Sequence, residues 1–165
     1  MVTNVNVPPL FTNTPFDVSI SEGTAPDTII KTITAEDVDE DTIQFTISTV
    51  GIPFEINQFT GEIKTTGILD RETTSSYTIT VNVNDGQASV GTTFTITITD
   101  VNDNAPLFTE SIYEIELPED TTINQGVLTV EAQDKDQGSN KQIMYSISGG
   151  NDDEKFALNM VCQIY

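Results

Sequence analysis

Tyr77-Thr78-Ile79-Thr80-Val81-Asn82-Val83-Asn84 alternates apolar and polar residues with a period of two, and Phe94-Thr95-Ile96-Thr97-Ile98 does the same. Side chains on a strand point to opposite faces in turn, so each run reads as a strand with one face buried and one wet. Asn84-Asp85-Gly86 lies between them, with Gly91 further on, which predicts a hairpin or an adjacent antiparallel pair. Working outward, further strands are expected at 16–21, 28–35, 43–48 and 61–66. Threonine and isoleucine abound and no long stretch keeps a 3.6-residue period, so the chain reads as an all-β sandwich of short strands with almost no helix.

The pattern occurs nearly twice. Pro9-Leu10-Phe11-Thr12 returns 97 positions later as Pro106-Leu107-Phe108-Thr109, and the offset persists through Phe16 and Tyr113, Glu22 and Glu119, Asp37 and Asp134, and Asp39 and Asp136. An insertion near Gln137-Gly138-Ser139-Asn140 shifts the register, after which Phe45-Thr46-Ile47-Ser48 recurs as Tyr145-Ser146-Ile147-Ser148. The expected organisation is one full unit, 1–104, and a truncated second, 105–165. The short connector predicts units placed end to end in an extended rod. Half a sandwich leaves open strand edges, so the second unit is expected to be partly disordered or completed by another chain.

Composition narrows the chemistry. Among 165 residues, 26 are acidic and 6 basic, for a net charge of −20, which repels nucleic acid and anionic lipid and favours metal cations. Histidine is absent, which removes Ser-His-Asp and Cys-His catalysis and histidine zinc sites. Cys162 is the single cysteine, so no internal disulfide is available. No window is apolar enough for a membrane span and no signal segment is present, so a secreted or anchored parent would contain this chain as an excised piece.

The acids are clustered. Glu22, Asp37-Val38-Asp39-Glu40-Asp41, Asp70-Arg71-Glu72, Asp85 and the connector Asp100-Val101-Asn102-Asp103-Asn104-Ala105-Pro106 are followed by Glu119 and Asp134-Lys135-Asp136. Two carboxylates about 4 Å apart repel by roughly 1 to 4 kcal/mol, so convergence of several calls for a cation. Oxygen ligands suit calcium. Asp37, Asp39 and Asp41 have the spacing of an EF-hand start, but Thr42 and Ser48 replace the required glycine and glutamate. Asp70 with Glu72, or Asp37 with Asp39, could be read as the carboxylate pair of a hydrolase, yet i, i+2 spacing places both on one strand or turn, and without tryptophan no aromatic-rich cleft is evident.

Leu69-Asp70-Arg71-Glu72, Asp100-Val101-Asn102-Asp103-Asn104, Leu117-Pro118-Glu119 and Asp134-Lys135-Asp136 resemble, in order and spacing, the calcium motifs of extracellular cadherin repeats. The resemblance implies tandem Greek-key β-sandwich repeats and three calcium ions at the junction. Their ligands would be Glu22, Asp70, Glu72, Asp100, Asp103, the Asn102 side chain and the Val101 and Asn104 carbonyls, joined by Asp134, Asp136 and the Asn140 carbonyl. Because the second repeat is short, occupancy of the third ion is left open.

Asn6-Val7-Pro8-Pro9-Leu10-Phe11-Thr12-Asn13 is similar to the N-terminal segment of hair-cell tip-link cadherins. It implies a further tip site from Asn6, the Val7 carbonyl, Asp37, Asp39, Asp41 and Asp85, and a first repeat at a true terminus. The absence of tryptophan rules out tryptophan-anchored strand exchange. The expected function is calcium-dependent adhesion or mechanical linkage at the cell surface, with homophilic or heterophilic binding to other cadherin or protocadherin ectodomains and no enzymatic activity. The alternative is a non-adhesive calcium-binding spacer within a larger surface protein.

Overall fold

The computed structural model describes residues 5–159 and 163–164; Cys162 lies outside them. The chain divides into two units, Met1–Val101 and Asn102–Tyr165, three residues before the boundary expected from the repeat. All regular structure is β, and no α-helix occurs among the described residues.

The first unit contains β1 (Leu10–Phe11), β2 (Val18–Ser21), β3 (Ile29–Thr32), β4 (Ala35–Glu36), β5 (Gln44–Ile47), β6 (Phe54–Ile56), β7 (Glu62–Thr65), β8 (Ser76–Asn84) and β9 (Ser89–Thr99). One sheet runs β2-β9-β8-β5, a second runs β3-β7-β6, and β1 pairs with β4. All neighbours are antiparallel except β2 and β9, which run parallel with Val18 opposite Ile96. The alternating runs form the β8–β9 hairpin, in which Ile79 faces Phe94 and Thr80 faces Thr93. Apolar residues therefore meet on the inner face and threonines on the outer.

Ile79, Val81, Val83, Phe94, Ile96 and Ile98 of one sheet pack with Ile33, Phe54 and Ile63 of the other layer, closed by Phe16, Phe45 and Leu69. Full burial of each such side chain contributes roughly 1.5–3 kcal/mol, so this core holds the sandwich closed against conformational entropy. Edge-on contacts of Phe16 with Phe94 and of Phe54 with Tyr77 fill it further. Thr65 is fully buried between the layers, and its hydroxyl donates to the Ala25 carbonyl at 2.8 Å and accepts from the Thr28 N–H at 3.1 Å.

Two sequence expectations shift. The strand expected at 28–35 breaks at Ile33, whose N–H donates to the Gly61 carbonyl, and the chain then crosses to β1 as β4. The strand expected at 16–21 begins at Val18, because Asp17 points its carboxylate to the Thr95 N–H.

The second unit contains β10 (Leu107–Phe108), β11 (Leu128–Thr129), β12 (Ala132–Gln133) and β13 (Gln163–Ile164), with β10 on β12 and β11 on β13. β10 and β12 sit 97 residues after β1 and β4, so the repeat seen in sequence is a repeat in structure. Aromatic groups stand in for a wide sheet: Phe108 meets Tyr113 and Tyr145 edge-on, and the Tyr145 hydroxyl accepts the Ala132 N–H at 2.7 Å. Residues 115–118 and 144–147, counterparts of β2 and β5, form no strands. In the first unit those strands pair with β9 and β8, and the sequence carries no second copy of either. Ile115, Met144 and Ile147 are accordingly exposed.

Candidate metal sites

At one end of the first unit the loop after β4 turns tightly, with Glu40 at φ 61°, and the N–H groups of Asp39 and Asp41 both donate to Asp37 Oδ1, at 2.8 and 3.3 Å. This is the local side-chain-to-backbone turn that aspartate favours. It gathers three carboxylates: oxygens of Asp37, Asp39 and Asp41 lie within 4.8 Å of one another. The N-terminal segment closes over them, the Val7 N–H donating to Asp39 Oδ2 at 2.7 Å and Asn6 Nδ2 to Asp85 Oδ2 at 3.0 Å. Asp85 Oδ1 accepts from Gln87 and Ala88 in the β8–β9 turn. The Ala88 N–H, Asn6 and the Gln87 N–H hold the Asp85 carboxyl below the usual carboxylate range, outweighing desolvation.

The structure thus brings Asp37, Asp39 and Asp41 together, ties Val7 to them through its N–H and links Asn6 to Asp85; two acceptors of this set are left over. Asn6 Oδ1 and Asp37 Oδ2 are buried with no hydrogen-bond donor among the described residues. A buried acceptor without a donor is costly, and a cation is one way to satisfy it. The oxygen-only donor set fits a hard divalent ion such as calcium.

At the other end of the same unit, Glu22 follows β2, Asp70-Arg71-Glu72 forms a turn before β8, and Asp100 and Val101 follow β9. Glu22 is 5% exposed, and each of its oxygens takes a backbone N–H: Oε2 from Arg71 at 2.8 Å and Oε1 from Val101 at 2.7 Å. Asp70 caps its own turn, accepting from the Thr73 N–H and hydroxyl at 2.9 Å each. Oxygens of Glu22 and Glu72, and of Glu72 and Asp100, lie within 4.8 Å of each other. The Arg71 guanidinium joins them, Nε donating to Asp100 and Nη2 to Glu72. Burial pulls the Arg71 pKa down, but Asp100 and Glu72 outweigh it and leave it raised.

The second unit repeats the tip's design. Asp134 Oδ1 accepts the Asp136 N–H at 2.8 Å, as Asp37 accepts that of Asp39. Asp136 Oδ1 accepts the Asn104 N–H at 3.3 Å, and Asn104 lies 97 residues after Val7, whose N–H goes to Asp39. Asn104 Nδ2 bridges Asp136 Oδ1 and Asp103 Oδ1 at 2.8 Å each. Asp134 and Asp136 are buried, and Asp136 Oδ2, like Asp37 Oδ2, has no donor among the described residues. Asn140 sits in the inserted loop, its N–H on the Gln137 carbonyl at 3.1 Å, while Asn102 is exposed. Arg71 was not among the sequence candidates, although its place between Asp70 and Glu72 in an acidic run marked it as the one cation there.

These arrangements accompany a match to the Cadherin domain family over residues 16–99 and 113–161. The chain belongs to the cadherin family. Among related cadherins, human Protocadherin Fat 4 is 36% identical over 161 residues, 93% of this chain and 3% of that protein. Human Cadherin EGF LAG seven-pass G-type receptor 3 is 36% identical over 159 residues, 92% of this chain and 5% of that protein. Among solved cadherin structures, mouse Cadherin-23 EC22-24 superposes with a TM-score of 0.87 at 29% identity, covering 94% of this chain and 52% of that one. Human Protocadherin-24 EC1-2 gives 0.81 at 29% identity, covering 97% and 77%. Among the described residues no helix is long and apolar enough to cross a membrane.

Proposed function

We propose that this cadherin repeat pair is a calcium-dependent adhesion or mechanical-linkage segment of a cell-surface protein, working in the extracellular space against other cadherin or protocadherin ectodomains. One observation carries the calcium reading: buried acceptor oxygens with no donor among the described residues, at Asn6 and Asp37 in one unit and Asp136 in the other, each beside acidic side chains. At the tip, Asn6, the Val7 carbonyl, Asp37, Asp39, Asp41 and Asp85 hold an ion. At the junction, Glu22, Asp70, Glu72, Asp100 and the Val101 carbonyl act with Asn102, Asp103, the Asn104 carbonyl, Asp134, Asp136 and the Asn140 carbonyl. The support for sharing is covalent: Asp100-Val101 ends one half-set and Asn102-Asp103 begins the other, with no residue between. Calcium there supplies positive charge common to ligands of both units, which opposes bending at the connector.

The test is thermal melting across a calcium titration of the chain and its Asp103→Ala variant, with magnesium as control. A calcium-specific rise in melting temperature, reduced in the variant, supports the reading; a response equal in magnesium, or none, contradicts it.

A further inference from the structure

Arg71 stands out because the calcium reading gives it no task, yet its backbone and side chain together bond three acids of that half-set. Its backbone N–H fixes Glu22, its Nε binds Asp100, and its Nη2 binds Glu72. The Arg71, Glu72 and Asp100 side chains are only 11%, 16% and 13% exposed, so the pairing is shielded from water and salt. Guanidinium presents donors in a fixed fork, here spread over two acids from separate parts of the chain, the turn before β8 and the end of β9. Without it, neighbouring carboxylates would repel. We propose that Arg71 is a placeholder cation: it holds the Asp100 and Glu72 carboxylates together when no metal is bound, and calcium must displace it to take the same oxygens.

This rests on the calcium reading of Asp100 and Glu72. The lone pairs that accept from Nε and Nη2 are those a metal would use, and a guanidinium left beside a divalent ion would face like charge. Arg71 therefore has opposite effects in the two states. It stabilises the metal-free unit and weakens metal binding, setting the calcium concentration at which the half-set fills. A residue that merely orients ligands would strengthen binding instead.

Two measurements on the whole chain decide. In calorimetric calcium titrations, Arg71→Gln is expected to bind about three- to tenfold more tightly than the parent, the range of a partly shielded charge pair, while its melting temperature in EDTA falls. Unchanged or weaker binding by the variant overturns the proposal. In the parent, the Arg71 Nε–Hε resonance should shift and exchange faster with water when calcium, but not magnesium, is added; an unmoved resonance under saturating calcium overturns it even if the variant fails to fold. Failure of the calcium reading looks different: the parent itself then gives no calcium heat, and the proposal falls with it.

Discussion

Glu22→Gln tests whether the acidic half-set is part of the first unit's framework. Both carboxylate oxygens accept backbone N–H groups, from Arg71 and Val101 at 2.8 and 2.7 Å, and the side chain is buried. Glutamine can satisfy only one of them; its NH2 group faces the other N–H, donor against donor. A hydrogen bond to a charged acceptor contributes about 1.5–3 kcal/mol, so one bond is lost and the other loses its charge. Relief of repulsion acts the other way. Glu22 and Glu72 oxygens lie within 4.8 Å, worth about 1 kcal/mol in water and up to about 3.5 at an effective dielectric of 20. The guanidinium already bonded to Glu72 cancels most of that term. The hydrogen-bond loss wins, and metal-free stability should fall by about 1–3 kcal/mol, lowering the melting temperature by roughly 5–20 °C for a unit of this size. Urea unfolding in EDTA, followed through the amide resonances of Ile79, Val81 and Ile96, reports the first unit alone. Equal or greater stability of the variant would refute the reasoning.

Three further outcomes are expected. Gly61→Ala should destabilise the first unit by more than about 2 kcal/mol, because Gly61 has φ +70° and an added Cβ would lie 2.1 Å from the Ile33 carbonyl oxygen; denaturant midpoints check this. Asp37→Asn should raise metal-free stability by up to about 1 kcal/mol by relieving repulsion from Asp39 and Asp41, while removing calcium heat at the tip, as paired melting and calorimetry would show. Amide hydrogen exchange should be much faster at β10–β13, whose paired strands are two residues long, than in β8 and β9 of nine and eleven residues; equal protection in a monomer would contradict the open second unit.

The long strands were legible because they leave a period. β8 and β9 contain enough residues for alternation between core and solvent to show, and Asn84-Asp85-Gly86 marks their turn. β1, β4, β6 and all four strands of the second unit are two or three residues long, and such lengths carry no periodicity. The parallel pairing of β2 with β9 joins residues 78 apart, a contact set by how the layers close over the core rather than by local pattern. The acidic clusters were legible in residue type because aspartates repeat with the fold, Asp37 and Asp39 returning as Asp134 and Asp136. Their wiring was not: that Val7 and Asn104 do the same job, and that Arg71 reaches Asp100 29 residues further on, depends on chain reversals no spacing reveals.

The most direct measurement of calcium-dependent locking is a set of residual dipolar couplings from both units, recorded in EDTA and in saturating calcium. In calcium the couplings of the two units should fit one shared alignment tensor, and in EDTA they should need two of different magnitude. Two distinct tensors in saturating calcium would contradict a shared cage at the junction.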